Sequence, residues 1–320
     1  MGKLIKKTNM RRSFRKYTAI VALAALSISC DRDEVFTREQ YKNVFALVSG
    51  SGNVASKFHD LGGESAGYVA ASLGGTNPTA NPIEINLIED PSLIDAYNKI
   101  NFDVDVSKYG RPLPASKYDI ETYSFTIPAG EISGRLPIRI RPDGLSPDSS
   151  YFIPLRVESH SSYEVNPEKS YLLYQVRTKN YWAKADGNTI YSMRAKLRQD
   201  GSTFELQLPG SKIMHPISER EVRIMVGNET YSSEVGVFNR GAIILRIGED
   251  NKVTILPYKD VEILQIDGDK DYPNTFSIED DGFKTYKTFL LHYYFRMSGT
   301  VYEMKEELRL EFDPDEEVKL

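Results

Sequence analysis

The sequence predicts an all-β protein: an N-terminal immunoglobulin-like Greek-key sandwich followed by a C-terminal antiparallel β-barrel or sandwich. Three observations carry this. Apolar runs of strand length recur along the chain, separated by turns rich in Gly, Pro and Asp. The 20 Tyr and 14 Phe beside one Trp suit pleated surfaces, where rings pack across strands. The one segment of the first half with convincing helical spacing, residues 90–99, is under three turns long and must lie on a sheet to persist.

The chain opens on seven bases, Lys3 to Lys16, and an apolar run over residues 18–29. A permanent membrane helix takes about 20 residues, so residues 1–29 read as a signal peptide. Ser27 and Ser29 flank Ile28 just before Cys30, the only cysteine. This resembles the lipobox of bacterial lipoproteins, with Leu26 one place earlier than the usual leucine. The resemblance implies that Cys30 becomes the lipidated first residue and residues 30–41 its tether. The alternative is an ordinary cleavage site beside a chance cysteine. Each buried methylene of an acyl chain adds about 0.8 kcal/mol, so a multiply acylated Cys30 holds the protein on the outer-membrane lipid. Asp31, Asp33 and Glu34, interrupted by Arg32, resemble the acidic export signal of Bacteroidetes lipoproteins that reach the cell exterior. A solvated charged tether is the competing reading. Residues 11–16, RRSFRK, approach a twin-arginine pattern and are read as part of the basic leader.

Seven of the 40 bases and none of the 45 acids precede Cys30, which leaves 33 bases against 45 acids, a net charge near −12. Such a surface disfavours nucleic acid as a partner. The remaining length suffices for two domains with cores of their own, placed at residues 42–179 and 180–320.

In the first domain, strands are expected at 43–48, 68–73 and from 83, where Ile83, Ile85 and Leu87 alternate with Glu84 and Asn86. Pro91 suits a first helical turn, and Leu93, Ile94 and Tyr97 share a helical face. Strands follow at 123–127, 135–141, 151–157 and 171–177. Pro137 and Pro154 inside these runs suggest edge or bulged positions. Residues 180–186, NYWAKAD, form the expected hinge. Beyond it, strands are expected at 189–197, 203–208, 221–226, 232–238, 242–247, 253–256, 261–266, 275–278, 288–297 and 301–312. Asp-Gly pairs at 186–187, 200–201 and 281–282 mark hairpin ends.

An ordered series of pieces carries a further resemblance: Leu93 to Asn98, Leu113 with Pro114, FTIPAGE at 125–131, Leu145, and YFIPL at 151–155. It resembles an uncharacterised N-terminal domain of Bacteroidetes outer-membrane lipoproteins encoded in polysaccharide-utilisation loci. Residues 288–312 resemble the closing hairpin of the all-β domain that often follows it. Some members instead carry an endo-β-N-acetylglucosaminidase barrel, but residues 180–320 supply little more than half the length of such a barrel.

The sequence offers little chemistry for catalysis, and the expectation is a non-enzyme without cofactor or metal. The barrel signature DxxDxDxE is absent, and there is no G-x-S-x-G. Glu306 with Glu307, or Asp280 with Asp281, are strand neighbours that point to opposite faces. His59, His160, His215 and His292 lack metal-ligand spacing. Asp267, Asp269 and Asp271 resemble the start of a calcium loop, but Tyr272 stands where the glycine belongs and Glu279 falls one residue late, so an acidic turn is favoured. Sugar binding needs aromatic rings and a few polar groups near loops. Tyr181, Trp182, Tyr231, Tyr258 and Tyr272 are the candidate ligand-binding residues, with strand packing as the alternative for each and domain cementing for Trp182. The expected function is capture of a glycan for an outer-membrane transporter complex. A structural or adhesive surface protein is the alternative, and an atypical glycoside hydrolase comes third.

Overall fold

The computed structural model describes residues 44–74, 78–232 and 234–317. Cys30, Asp31, Asp33 and Glu34 lie outside the described residues.

The N-terminal half contains β1 (Val44–Leu47), β2 (Val54–Asp60), β3 (Ser65–Leu73), β4 (Ile83–Glu89), α1 (Ser92–Phe102), β5 (Arg111–Pro112), β6 (Tyr118–Asp119), β7 (Ser124–Ile127), β8 (Ser133–Ile140), β9 (Tyr151–His160), β10 (Glu164–Val165) and β11 (Tyr171–Lys179). They form two sheets in the orders β10-β1-β3-β8-β6 and β2-β11-β9-β4-β7, with β5 added to β9. Alternation sets the faces. Leu136, Ile138 and Ile140 of β8 are buried, while Arg135, Pro137 and Arg139 between them are exposed. Ile83, Ile85 and Leu87 do the same for β4, and both sheets meet in one core with Phe45, Val69, Ile153 and Tyr174. Burying one such aliphatic side chain contributes about 1.5–3 kcal/mol.

The first strand changes sheets. β1 pairs antiparallel with β3, whereas β2 pairs parallel with β11. The switch is made at residues 51–53, where Gly52 (φ 63°) and Asn53 (φ 57°) take the left-handed conformation that Gly and Asn tolerate best. The Asn53 side chain is anchored by donating to the Glu168 carbonyl at 2.8 Å. Helix α1 lies on the outside of the second sheet, with Ile94 packed on Phe152 and Leu173.

Pro154 departs from expectation, since β9 is an interior strand. It stands beyond the last β4 partner, Leu155, and before the β5 partner Phe152, in a gap where no backbone N–H is required.

The C-terminal half contains β12 (Ile190–Gln199), β13 (Glu205–Ile213), β14 (His215–Ser218), β15 (Glu221–Met225), α2 (Val235–Gly241), β16 (Ala242–Ile247), β17 (Val253–Pro257), β18 (Ile263–Gln265), β19 (Thr275–Asp280), β20 (Thr285–Met297) and β21 (Thr300–Phe312). One sheet runs β13-β12-β21-β20-β18 with β19 also on β20, and the other runs β14-β15-β16-β17. They are two curled sheets, half-barrels facing across a single core. The β20–β21 hairpin closes through Ser298 (φ 50°) and Gly299 (φ 81°), a two-residue turn whose twist matches the strands. Residues 232–238, expected as a strand, hold instead the start of α2. Phe238 and Gly241, three apart, are its buried residues, and Phe238 packs on Met225 and Ala242.

Within this core lies an ion pair between Lys212 Nζ and Glu306 Oε2 at 2.5 Å, and Tyr293 donates to the other Glu306 oxygen at 2.8 Å. Burial pushes the Lys212 ammonium below its ordinary range against the pull of Glu306, and it pushes the Tyr293 hydroxyl up. A buried charge left alone costs far more than a pair removed together. Glu306→Leu should therefore lower stability by about 3–5 kcal/mol, and Lys212→Met with Glu306→Leu should restore most of it. Chemical denaturation of the three variants measures this.

Candidate functional site

The two halves meet around residues 179–189, and the chain folds tightly there. The Asn180 carboxamide oxygen accepts from the Trp182 and Ala183 amides at 3.1 and 2.9 Å, while its nitrogen donates to the Ser218 and Glu221 carbonyls. Asn180 thus caps its own turn and ties it to the β14–β15 hairpin. Tyr191 donates to the Trp182 carbonyl at 3.0 Å, and the Lys184 amide donates to Thr189 Oγ1 at 3.0 Å. The expected hinge is a pinned loop.

This loop presents Tyr181. Its ring is edge-on to Trp182 and Phe276 and carries the Lys287 ammonium 3.8 Å from its centroid. Lys287 is itself buried, donates to the Tyr181 carbonyl at 2.5 Å and lies 4.8 Å from the Phe312 ring centroid. Tyr181 nonetheless stays 46% exposed, at the wall of an open cleft of about 1000 Å³. Asp60 and Lys179 reach this cleft from the first half, Asn188 from the loop, and Ile278 and Leu310 from the second sandwich. One rigid ring, apolar flanks and a few polar groups describe a ligand site of ordinary chemistry.

A clasp lies beside this loop. Arg223, only 1% exposed, donates from both terminal nitrogens to Asp148 of the loop before β9, at 2.7 and 2.5 Å. The Phe238 and Tyr258 rings flank the guanidinium at 4.4 and 5.0 Å. Tyr231 also donates to Asp148, at 3.3 Å, and stacks on His215 with centroids 4.5 Å apart. Burial works to raise the Asp148 carboxyl, but the hydrogen bond and charge of Arg223 outweigh it and hold the group below its ordinary value.

The five aromatic candidates therefore have different fates. Tyr181 lines the open cleft. Trp182 also borders the cleft but is 5% exposed and packs in the C-terminal core, the packing alternative; the Arg220 guanidinium lies 5.7 Å from its ring. Tyr258 spends its ring on Arg223, and Tyr231 belongs to the clasp. Tyr272 sits in the Asp267 turn, its amide bonded to Asp269, and lines neither junction cavity. Sequence reasoning missed Asp148, Arg223 and Lys287, whose charges carry no motif.

Asp269 of the acidic turn is already paired. Lys305 donates to Asp269 at 2.6 Å, His292 lies 3.2 Å away on the same oxygen, and the Asp271 and Tyr272 amides bind the other. The Lys305 hydrogen bond leads in holding Asp269 down at about 2. Among the described residues no group of three His, Cys, Asp or Glu is placed to hold a metal. Glu306 points into the core and Glu307 to the opposite face, toward Arg309.

A family model described as an N-terminal domain matches residues 40–164, and one described as a C-terminal domain matches residues 170–309. The chain belongs to this two-domain family. Solved structures share the family's fold across both domains. A Bacteroides ovatus protein of unknown function is 16% identical with a TM-score of 0.63, over 85% of this chain and 98% of that one. A multidomain B. ovatus protein including DUF1735 is 15% identical with a TM-score of 0.63, over 85% and 95%. An auxiliary nutrient binding protein from Bacteroides thetaiotaomicron is 15% identical with a TM-score of 0.58, over 82% and 92%. No curated protein sequence matches the chain.

Two buried histidines make the fold acid-sensitive. Burial lowers His59 and His215 from 6.5 to about 4. Unfolded chains bind these protons as pH falls below 6.5, and the folded protein does not until about 4, so stability drops through that window. The loss is on the order of 3 kcal/mol for each histidine. The midpoint of urea unfolding should fall between pH 6.5 and 4, and His215→Phe should make that fall shallower.

Proposed function

We propose that this protein is a non-catalytic glycan-binding lipoprotein, anchored in the outer membrane through acylated Cys30 and facing the cell exterior. It captures an oligo- or polysaccharide for an outer-membrane uptake system. The observation that carries this reading is Tyr181, a ring fixed from behind by a buried ammonium and left 46% exposed in a polar-rimmed cleft. A sugar lays its C–H face on such a ring and gives its hydroxyls to the rim, here Asp60, Asn188 and Lys179. Holding the ring in advance removes the entropy that ordering it would cost. The nutrient-binding relative from B. thetaiotaomicron, alike in fold, supports the same reading.

Affinity electrophoresis of residues 31–320 through a panel of plant and host polysaccharides tests it. At least one glycan should retard the protein, and Tyr181→Ala should weaken that retention about tenfold, equivalent to about 1.4 kcal/mol. Retardation by no glycan defeats the reading. Capture of a transporter or host protein without glycan binding would instead favour an adhesive surface role.

The address is tested separately in cells. Cys30→Ala should abolish incorporation of labelled fatty acid. Replacing Asp31, Asp33 and Glu34 by Asn and Gln should abolish labelling of intact cells and leave acylation unchanged; persistent surface labelling would exclude the export signal.

A further inference from the structure

A second cavity, of about 300 Å³, lies on the other side of the 184–188 loop and shares Asp186 with the Tyr181 cleft. It opens where β11 outruns its partner: β9 pairs with β11 only as far as Val176, and the Thr178 carbonyl is next taken by the Ala185 amide. The space between is walled by the Asp148 loop, the 185–187 turn, His215 and Tyr231.

The lining is built from buried polar groups. Gln175 is 6% exposed; its carboxamide nitrogen reaches Ser150 Oγ only at 3.5 Å, a weak contact that leaves donor capacity unspent. His215 is 4% exposed. A ligand hydroxyl that accepts from the Gln175 carboxamide would add a hydrogen bond worth about 0.5–1.5 kcal/mol. The charges of the wall oppose one another. Asp148 is matched bidentately by Arg223, and Asp186 and Arg177 stand on the same wall as one charge of each sign. His215 stays uncharged at neutral pH because burial lowers it to about 4. The wall therefore carries no excess of either sign, and a ring bearing several hydroxyls finds donors and acceptors on most sides. The volume is at the lower end for ligand pockets and admits one ring rather than a chain.

We propose that this half-open pocket is a second ligand site, which takes a single neutral sugar ring such as the end residue of a glycan. The choice of sugar as ligand rests on the glycan-binding reading above. The site itself does not depend on the Tyr181 cleft.

Saturation-transfer NMR on the same protein tests it, with glucose, galactose, mannose, xylose, arabinose and N-acetylglucosamine as probes and glucuronate and inorganic phosphate as charged controls. At least one neutral sugar should bind the wild type and Tyr181→Ala alike. His215→Phe, which keeps a ring against Tyr231, and Gln175→Leu should each weaken that binding tenfold or more. The Gln175→Leu thermal midpoint without sugar should fall little, since the carboxamide makes only weak contacts, at 3.5 Å to Ser150 and 3.3 Å to Arg177; if His215→Phe fails to fold, Gln175→Leu carries the test alone. Binding of no neutral sugar, binding of the charged probes only, or equal binding by the foldable pocket variants would overturn the proposal. Sugar binding lost in the pocket variants but without polysaccharide retention would uphold the pocket and defeat the Tyr181 reading; the reverse pattern would do the opposite.

Discussion

The Arg223–Asp148 clasp is the interaction on which the junction depends. It is the charged contact that crosses from one sandwich to the other with both members largely out of water, Arg223 with a side chain 2% exposed and Asp148 with one 23% exposed. Bidentate geometry fixes direction as well as distance, so it constrains how the Asp148 loop sits on the β14–β15 hairpin. The flanking Phe238 and Tyr258 rings replace part of the hydration that the guanidinium loses. A largely buried pair of this kind adds little net stability over an apolar contact, but it is costly to break on one side alone. Its value here is therefore positional. Both cavities have walls from the two halves, and their shapes hold only while the halves keep their mutual placement.

Asn180 supplies the second constraint. A carboxamide that accepts two amides of its own turn and donates to two carbonyls of the facing hairpin uses both ends of a short side chain. Tyr181 consequently leaves the backbone in one direction, and Lys287 holds its ring from one side. The cleft ring is thus ordered by the fold rather than by the ligand, which is what affinity for a weakly interacting sugar face requires.

Much of the fold was legible because burial on one face of a strand writes a period of two into the sequence, as in Ile83, Ile85 and Leu87. The helix at α1 was legible for the same kind of reason. β2 was not: Val54 to Asp60 has an exposed, mixed pattern, because its membership comes from parallel main-chain pairing to β11 rather than from side-chain burial. α2 was misread because seven residues are too few to separate the two periods. Residue type left Trp182 between two roles, since a lone Trp near a hinge satisfies a stacking role and a packing role equally well until its neighbours are known; its burial in the C-terminal core favours packing. Asp148 and Arg223 lie 75 residues apart, and no local pattern joins them.

The same periodicity nonetheless held information about charge. Met304, Glu306 and Leu308 share the inward face of β21, and Lys287 precedes Phe289, Leu291 and Tyr293 on the inward face of β20. A charged residue in register with core positions must be paired or capped inside, because an isolated buried charge is too costly to keep. Register alone therefore marks Glu306 and Lys287 as interior charges. It cannot distinguish their roles, since the difference lies in what each meets: Glu306 meets Lys212 in the sealed core, and Lys287 meets Tyr181 at an open cleft. Arg223 illustrates the limit, for it alternates with Val222 and Ile224 and so belongs to the outer face of β15. Only the covering by α2, Tyr258 and the other sandwich makes that outer face an interior, and covering between distant segments is the property that a local pattern does not encode.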